Sequence, residues 1–515
     1  MKRFAIVMSS LLAFSVVFAQ GVTEKMEEGV YAIKISPNGK WIGSMAGDAS
    51  IYDVEKGNYV YYDGCFLGIG NVMADNGMAV GDMHDIAAIM YNQKIILPPS
   101  LGGNKYWFCD INGITPDATR ITGIINNPNR GETYYVPFIA EVDGDGNVSD
   151  PVFLPYPKTD FFNMAPQYVS GIWISRDGKT VMGQVQDWRG MYSYPIVFKE
   201  NAGGEWEYFL PSASMFNPQH IEIPENPWKN EPPYPEVEDF LTGQSKQAYL
   251  AAYEAFSVGL GPWPDPYKYF TEEQAVLYEL ALEAYNEWYY GHEAAMKSYT
   301  KIYNQVLMTT PSFNANDAAL DPNGNYFLCP GGEEDAEGNP VSRLYRFEAT
   351  KEGATVISKP QGGYYPTQIL PNGTVIITLG LQVGPRSYML LPGTDEWITL
   401  EEYFNKSNPD VAAWIHSQAP NGNGILCVND DMTVFSGGLY ADLWTGYSED
   451  SYIYNTYIIT MGTSGVERIA EAPADGVYHV YNLQGVKVAE TRDVSDIGAL
   501  PKGIYLVNGK KFVNK

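Results

Sequence analysis

The sequence predicts an all-β fold built from a repeated unit of four strands, and three observations support this prediction. A short turn-like core of the Ser-Pro-Asn-Gly type recurs along the chain. Runs of β-branched and aromatic residues flank each core, as expected for strands on both sides of a turn. A second hairpin signal follows the first in most copies. Four strands per unit, repeated radially, are typical of a β-propeller, which leaves only short sheet edges exposed.

The seven copies of this core begin at residues 36, 74, 115, 175, 321, 370 and 429. In the first copy, Pro37 presets φ for a tight turn, Asn38 accepts local backbone hydrogen bonds, and Gly39 relaxes the steric limits on the backbone. The apolar and polar residues that alternate over 32–35 predict a strand before the turn. Second hairpins are predicted over 51–62, 138–154, 196–210 and 344–357.

The spacing of the cores predicts one large insertion. Neighbouring cores start 38 to 60 residues apart, except for 146 residues between the fourth and the fifth. Removing the block over 212–310 reduces that gap to roughly 48 residues, which matches the other gaps. We therefore expect a seven-bladed β-propeller-like domain with an insertion between its fourth and fifth blades. A pair of β-sandwiches is the alternative architecture.

The insertion has a helical pattern. Thr271 and Gln274 are spaced as a capping box, and apolar residues recur at helical intervals from Leu277 to Ile302. A second, shorter helix is expected over 245–256, and we expect an interruption of the long helix at Gly291. The sequence thus predicts an inserted α-helical hairpin over 213–310 that forms a lid.

The cores resemble the HAF-type probable extracellular repeats. In that pattern an apolar residue and Ser or Thr precede Asp-Gly or Asn-Gly, and a short apolar strand then ends in glycine. The segments 113–123 and 171–183 are the closest copies. The resemblance implies an exported repeat protein and brings no catalytic residues with it.

The N-terminus predicts export. Lys2 and Arg3 precede an apolar run over 4–18, and the small residue Ala19 ends it, a pattern typical of a signal peptide over 1–19. The remaining chain has 31 basic and 61 acidic residues, a net charge of 31 minus 61, or −30. No later stretch has the roughly 20 apolar residues of a membrane-spanning helix. We expect four blades over 20–212, three over 311–465 and a linker over 466–476.

A small separate β domain is predicted over 477–515. It resembles the C-terminal sorting domain of type IX secretion cargo in the Bacteroidetes, through Val480-Tyr481-Asn482, Leu500-Pro-Lys-Gly-Ile-Tyr505 and a Lys-rich end. The resemblance implies a secreted or cell-surface protein that has the secretion machinery as a possible partner.

Charge and motifs exclude several function classes. The chain's net charge of −28 would repel nucleic acid, and no basic patch offsets it. Phosphate-binding loops, nucleophile elbows and zinc-protease helices are absent from the sequence, so we predict no cofactor. The loop Asp143 to Asp150 could supply oxygen ligands to Ca²⁺, but a hairpin tip explains it better, and no metal is predicted. The cysteines at 65, 109, 329 and 427 are too far apart in sequence for a close metal-binding pair.

The candidate site is the propeller face that carries the loops between second and third strands. The insertion should cover this face, and polar groups beside Trp and Tyr suit a glycan or protein ligand. Its candidate binding residues are Asp48, Asp82, His84, Asp85, Arg130, Asp187, Trp188, Arg189, Tyr440 and Trp444. We expect a non-enzymatic binding protein. The alternatives are a carbohydrate-active hydrolase or lyase that uses carboxylates or Tyr there, and an envelope structural or adhesive protein.

Overall fold

A computed structural model describes most of the chain between residues 21 and 514. The described residues are 21–28, 31–46, 48–102, 106–128, 133–257, 261–334, 339–360, 362, 364–379, 387–418, 427–440, 454–461, 477–482, 487–491, 503–507 and 510–514. The predicted signal peptide and the predicted linker lie outside them. The fold is mostly β, with several sheets and few helices, as the sequence predicts.

The first two groups of strands each form a four-stranded antiparallel sheet, in chain order. Unit 1 contains β2 (Tyr31–Ile35), β3 (Trp41–Ala46), β4 (Asp48–Asp53) and β5 (Asn58–Tyr62). Unit 2 contains β6 (Cys65–Leu67), β7 (Ala79–Met83), β8 (Ile86–Tyr91) and β9 (Lys94–Ile96). The strand β1 (Gly21–Glu28), which precedes them, pairs elsewhere.

The next two groups are joined into one eight-stranded sheet by a single parallel pair, Tyr135 with Tyr168. Unit 3 contains β10 (Cys109–Ile114), β11 (Arg120–Asn126), β12 (Tyr135–Glu141) and β13 (Val152–Phe153). Unit 4 contains β14 (Tyr168–Ile174), β15 (Thr180–Gln186), β16 (Ser193–Glu200) and β17 (Trp206–Phe209). The predicted second hairpins of units 1, 3 and 4 are confirmed.

Three helices lie between units 4 and 5. They are α1 (Val237–Phe240), α2 (Gly243–Ser257) and α3 (Glu272–Thr309). The predicted capping box is present, because the Thr271 hydroxyl accepts from the Gln274 N–H and the Gln274 side chain accepts from the Thr271 N–H. The predicted interruption at Gly291 is wrong. An exposed glycine costs a helix only about 1 kcal/mol relative to alanine. The helix α3, which is 38 residues long in total, continues through Gly291 without a break.

Units 5 and 6 follow the helices. Unit 5 contains β18 (Ser312–Phe313), β19 (Ala319–Leu320), β20 (Tyr326–Glu334), β21 (Pro340–Glu348) and β22 (Ala354–Ile357). Unit 6 contains β23 (Tyr364–Ile369), β24 (Val375–Leu379), β25 (Ser387–Leu390) and β26 (Trp397–Thr399). Two helices, α4 (Leu400–Ser407) and α5 (Pro409–Gln418), come after unit 6.

Unit 7 combines strands from the two ends of the repeat region. It contains β27 (Cys427–Val428), β28 (Val434–Tyr440) and β29 (Tyr454–Met461), and its fourth strand is β1. The β1 register pairs Gly21 with Met461 and Lys25 with Tyr457. The sequence analysis did not predict this pairing.

Unit 7 also packs against unit 1. Ile42 and Tyr52 of unit 1 share a buried cluster with Cys427, Val434 and Ile458 of unit 7. The backbone N–H of Asp430 in the seventh turn donates to the Pro37 carbonyl in the first turn, at 3.0 Å. The same turn-to-turn bond recurs from Asp75 to Pro116 and from Arg176 to Pro322.

The last four strands form a sheet of their own, in the order β31-β30-β32-β33. These strands are β30 (Tyr478–Asn482), β31 (Lys487–Thr491), β32 (Gly503–Val507) and β33 (Lys510–Asn514). None of the described helices combines the length and the apolarity that crossing a bilayer requires.

Candidate functional site

The strands give each unit two ends, and both carry candidate groups. The turn face is the end that bears the turn cores, such as 36–39 and 175–178. The loop face is the opposite end, where the second strand leads to the third, as at Asp48 and Asp187. A strand of six or seven residues separates the two faces by about 20 Å.

Repeated β-bulges occur in the first strands of several units, close to the turn face. The strand register shifts at the same place in units 1, 3, 4 and 6, and the residue after each shift lies two positions before the turn core. A bulge reorients the side chain beside it. The four residues after the shifts are Lys34, Gly113, Trp173 and Gln368.

A cavity of about 110 Å³ lies beside the ends of these first strands, and residues from all seven units line it. Its polar lining includes Lys34, Asn71, Arg176, Gln368 and Asp430. The sequence analysis missed this site. The available signal was Lys34 itself, the one charged residue at that position of the seven units, where the others are Val72, Gly113, Trp173, Ala319, Gln368 and Cys427.

Most polar side chains of the cavity are already bonded to the protein. The Asn71 amide donates to the carbonyls of Ile114 and Ile174, and the Gln368 amide donates to the Val428 carbonyl. Arg176 forms an ion pair with Asp430. These bonds connect neighbouring units across the cavity wall.

Lys34 and Trp173 differ from those groups. The Lys34 ammonium donates to the Ile69 carbonyl at 2.5 Å and lies 5.1 Å from the centre of the Trp173 ring. Burial lowers the pKa of Lys34 to about 8. The indole N–H of Trp173 is buried without a hydrogen-bond partner among the described residues.

Four predicted site residues, Asp48, Asp82, His84 and Asp85, lie at the loop-face ends of units 1 and 2. His84 and Asp85 are exposed in a tight turn in which both have positive φ, 53° and 66°. The Asp85 N–H donates to the Asp82 carboxylate at 3.2 Å, so these two residues adjoin each other.

Asp82 also lies near Asp110 on β10, which the sequence analysis did not select. Burial raises the pKa of Asp110 to about 7, and the negative charge of Asp82 adds to the shift. Burial raises the pKa of Asp82 as well. One carboxylate oxygen of Asp110 is buried without a hydrogen-bond partner among the described residues.

The three predicted residues of unit 4 attach the insertion to the loop face. Asp187 is fully buried and accepts from the N–H groups of Met191 and Tyr192 and from the Tyr303 hydroxyl of α3. The Arg189 guanidinium lies 5.5 Å from the Trp188 ring and 5.2 Å from the Tyr303 ring. Asp187 is therefore occupied by contacts within the chain.

Asp160 supports the same attachment from the preceding loop. Its carboxylate accepts from the N–H groups of Phe162, Met164 and Trp188, and burial raises its pKa to about 6.

The remaining predicted residues cannot be placed in a site. Arg130 and Trp444 lie outside the described residues, and only the backbone of Tyr440 is described.

The outer part of the insertion, which we call the arm (residues 243–295), exposes many large apolar side chains. Trp263 is 58% exposed and Tyr290 is 70% exposed. The exposed set also includes Leu250, Tyr253, Phe256, Tyr267, Val276, Leu277, Leu280 and Tyr289. By contrast, Met296, Tyr299, Tyr303 and Val306 near the C-terminal end of α3 are buried.

The acidic loop at Asp143 and the four cysteines have the following environments in the structure. Among the described residues, no group of His, Cys, Asp and Glu side chains is arranged to hold a metal ion. The Asp143 carboxylate instead accepts from Asp145 and Asn147 within its own hairpin tip. All four cysteines are buried and unpaired.

Comparisons with known proteins assign no family. No family model and no curated protein matches the chain. Solved structures that resemble it include Kuenenia stuttgartiensis hydrazine synthase, at 12% identity and a TM-score of 0.37, over 82% of this chain and 96% of that one. Oligogalacturonate lyase from Vibrio parahaemolyticus has 9% identity and a TM-score of 0.38, over 86% and 98%. TolB from Acinetobacter baumannii has 10% identity and a TM-score of 0.29, over 88% and 69%. Likeness at this level assigns neither a family nor an activity.

Proposed function

We propose that this chain is an exported, non-enzymatic binding protein, in which a seven-bladed β-propeller carries the helical arm and the arm binds a protein partner. The pairing of β1 with β29, the shared core of units 1 and 7, and the cavity lined by all seven units support the propeller. The predicted signal peptide and the resemblance of the C-terminal strands to a sorting domain support export to the cell surface or beyond.

The exposed apolar surface of the arm is the observation that carries the binding role. A helix of 38 residues is about 57 Å long, and its four buried residues from Met296 onward occupy only its last third. Before Met296, α3 contacts α1, where the ring centres of Tyr278 and Phe240 lie 5.4 Å apart. Large exposed apolar patches rimmed by polar residues mark interaction sites. Tyr and Trp are also enriched at the centres of protein interfaces.

The charge of the insertion favours a basic protein partner. Residues 213–310 contain 5 lysines and 14 acidic residues, a net charge of 5 minus 14, or −9. Glu279, Glu283 and Glu287 are spaced four residues apart along α3, so they lie on one side of the helix beside Tyr290. A partner with apolar side chains next to Lys or Arg would complement this surface.

A display selection tests this proposal. A random peptide library is selected on the mature chain, residues 20–515, and the enriched peptides are then measured against a Trp263→Ala/Tyr290→Ala variant. We expect enrichment of basic, apolar peptides and at least a tenfold loss of affinity in the variant, because central aromatic residues of an interface commonly contribute 2 kcal/mol or more. Tyr208→Ala is the matched control, since Tyr208 is exposed on β17, away from the arm.

Two outcomes would contradict the proposal. Equal peptide binding by the double variant and by the wild type would show that the arm is not the binding surface. Selective binding on a glycan array, with no peptide enriched, would assign a glycan ligand instead.

A specific observation also supports the enzymatic alternative. The charge of Asp82 contributes to the raised pKa of Asp110 at the loop face, and an acid whose pKa is about 7 can serve as a proton donor near neutral pH. This alternative predicts reducing-sugar release from a polysaccharide panel, with activity that falls above pH 7 and is lost in Asp110→Asn. Release by wild type and variant alike, or by neither, would exclude this pair as catalytic.

A further inference from the structure

We propose that the cavity on the turn face is a binding site for a small organic carboxylate, held between Lys34 and Trp173. This site lies about one strand length from the loop face and does not involve the arm. It is therefore independent of the binding role proposed above.

The fold presents the two groups to each other by a repeated device. Lys34 and Trp173 occupy the same position in units 1 and 4, two residues before the turn core and directly after a β-bulge. The corresponding residue of unit 3 is Gly113, which contributes no side chain at that position. Lys34 and Trp173 therefore face one cavity although they lie 139 positions apart in the sequence.

Two hydrogen-bond donors of this cavity, the Lys34 ammonium and the Trp173 indole N–H, are not fully used by acceptors among the described residues. The Lys34 ammonium has three N–H groups, and its contacts among the described residues are one carbonyl, that of Ile69, and the Trp173 ring. The Trp173 indole N–H has no partner there, and Trp173 is 9% exposed. A buried donor without an acceptor costs about 1–3 kcal/mol, so an acceptor that enters the cavity would be stabilised.

The surrounding charges favour an anion as that acceptor. The one carboxylate in the cavity lining, Asp430, is already paired with Arg176. The Cys427 thiol lines the cavity too, but burial raises its pKa to about 12, so the thiol stays neutral and supplies no counter-charge. Among the residues that the structure describes, Lys34 therefore has no anionic partner within the cavity.

The size and the apolar lining select an organic anion over an inorganic one. The cavity has an apolar lining formed by Ile35, Met73, Ile114, Ile174, Leu320 and Ile369. A cavity of about 110 Å³ is several times larger than a single water requires. A carboxylate with a short alkyl chain would place its oxygens on Lys34 and Trp173 and its methylene groups against the isoleucines.

Titration calorimetry on the mature chain tests the proposal with four probes. These are butyrate, acetate, inorganic phosphate and butylammonium. We expect butyrate to bind more tightly than acetate, and both to bind more tightly than phosphate, because only the alkyl chain contacts the apolar lining. Butylammonium should not bind. Indole ¹H–¹⁵N resonances give a second readout, since butyrate should shift one peak that is missing from Trp173→Phe.

Two variants and one control locate the site. Lys34→Met, which keeps the volume, should weaken butyrate about 10- to 100-fold, the loss expected for one charge-assisted hydrogen bond. Trp173→Phe should weaken it by a smaller factor and abolish the peak shift. Lys40→Met, an exposed lysine of the first turn, should bind butyrate like the wild type. Butyrate binding that is unchanged in Lys34→Met, phosphate binding that exceeds butyrate binding, or no butyrate binding to the wild type would each overturn the proposal.

Discussion

The bond between Tyr303 and Asp187 allows a direct test of how the insertion is attached. Tyr303→Phe removes only the hydroxyl that donates to the buried Asp187 carboxylate, at 2.5 Å. The phenyl ring would keep its packing against Phe162, whose ring centre lies 4.5 Å away. The change therefore isolates one hydrogen bond.

The expected cost follows from the burial of the acceptor. Asp187 is 0% exposed, so water cannot replace the lost donor, and its second oxygen is already used by the N–H groups of Met191 and Tyr192. Hydrogen bonds to charged groups contribute about 1.5–3 kcal/mol, and a charged acceptor left buried loses that full amount. We expect the free energy of unfolding to fall by about 2–3 kcal/mol.

Urea denaturation gives this free energy, and hydrogen exchange over 296–306 shows whether the loss is local to the end of α3. Tyr289→Phe is the matched control, because Tyr289 lies on the same helix and is 40% exposed. In an Asp187→Asn background, Tyr303→Phe should cost only about 1 kcal/mol, the value for a neutral hydrogen bond. A change below 0.5 kcal/mol in Tyr303→Phe, with unchanged exchange over 296–306, would refute this account of the attachment.

Two further predictions concern buried acids and the helix cap. Burial raises the pKa values of Asp110 and Asp160, so the folded chain favours their protonated forms. Their contribution to stability is complete only below about pH 4 and is lost as the pH rises through about 6 for Asp160 and about 7 for Asp110. The melting temperature of Asp110→Asn minus that of the wild type should therefore be larger at pH 7.5 than at pH 5. A difference in calorimetry that does not depend on pH would contradict this. Thr271→Ala should cost about 1 kcal/mol and speed amide exchange in the first turn of α3, since it removes one half of the capping box. Unchanged exchange there would show that packing rather than the cap fixes the start of α3.

The sequence predicted the elements that local chemistry determines. In the turn core at 175–178, the Ser175 hydroxyl donates to the Asp177 carboxylate, and Gly178 has a φ of 67°. These interactions lie within four residues, so the turn, its flanking strands and the repeat could be recognised. The capping box at Thr271 was predictable for the same reason.

Features that depend on distant residues were not predictable. The pairing of β1 with β29 joins residues more than 400 positions apart, and nothing in 21–28 indicates its partner. Asp187 looked like a ligand-binding residue because it lies on a loop beside Trp188 and Arg189. Its actual partner, Tyr303, is 116 positions away on a helix whose orientation the sequence does not determine. The alternating pattern over 32–35 predicted a strand but not that Lys34 lines a cavity, because one bulge is enough to change the direction of a side chain.

The central proposal is that the units form a closed ring, on which the proposed propeller depends. A disulfide between Val22→Cys and Thr460→Cys tests this claim directly, since these residues are paired in the β1–β29 register. Mass spectrometry of the oxidised chain should show the cross-link in nearly all molecules, and Thr23→Cys with Thr460→Cys, shifted by one residue, should form far less. Absence of the Val22–Thr460 cross-link, or equal yields for the two pairs, would contradict the closed ring.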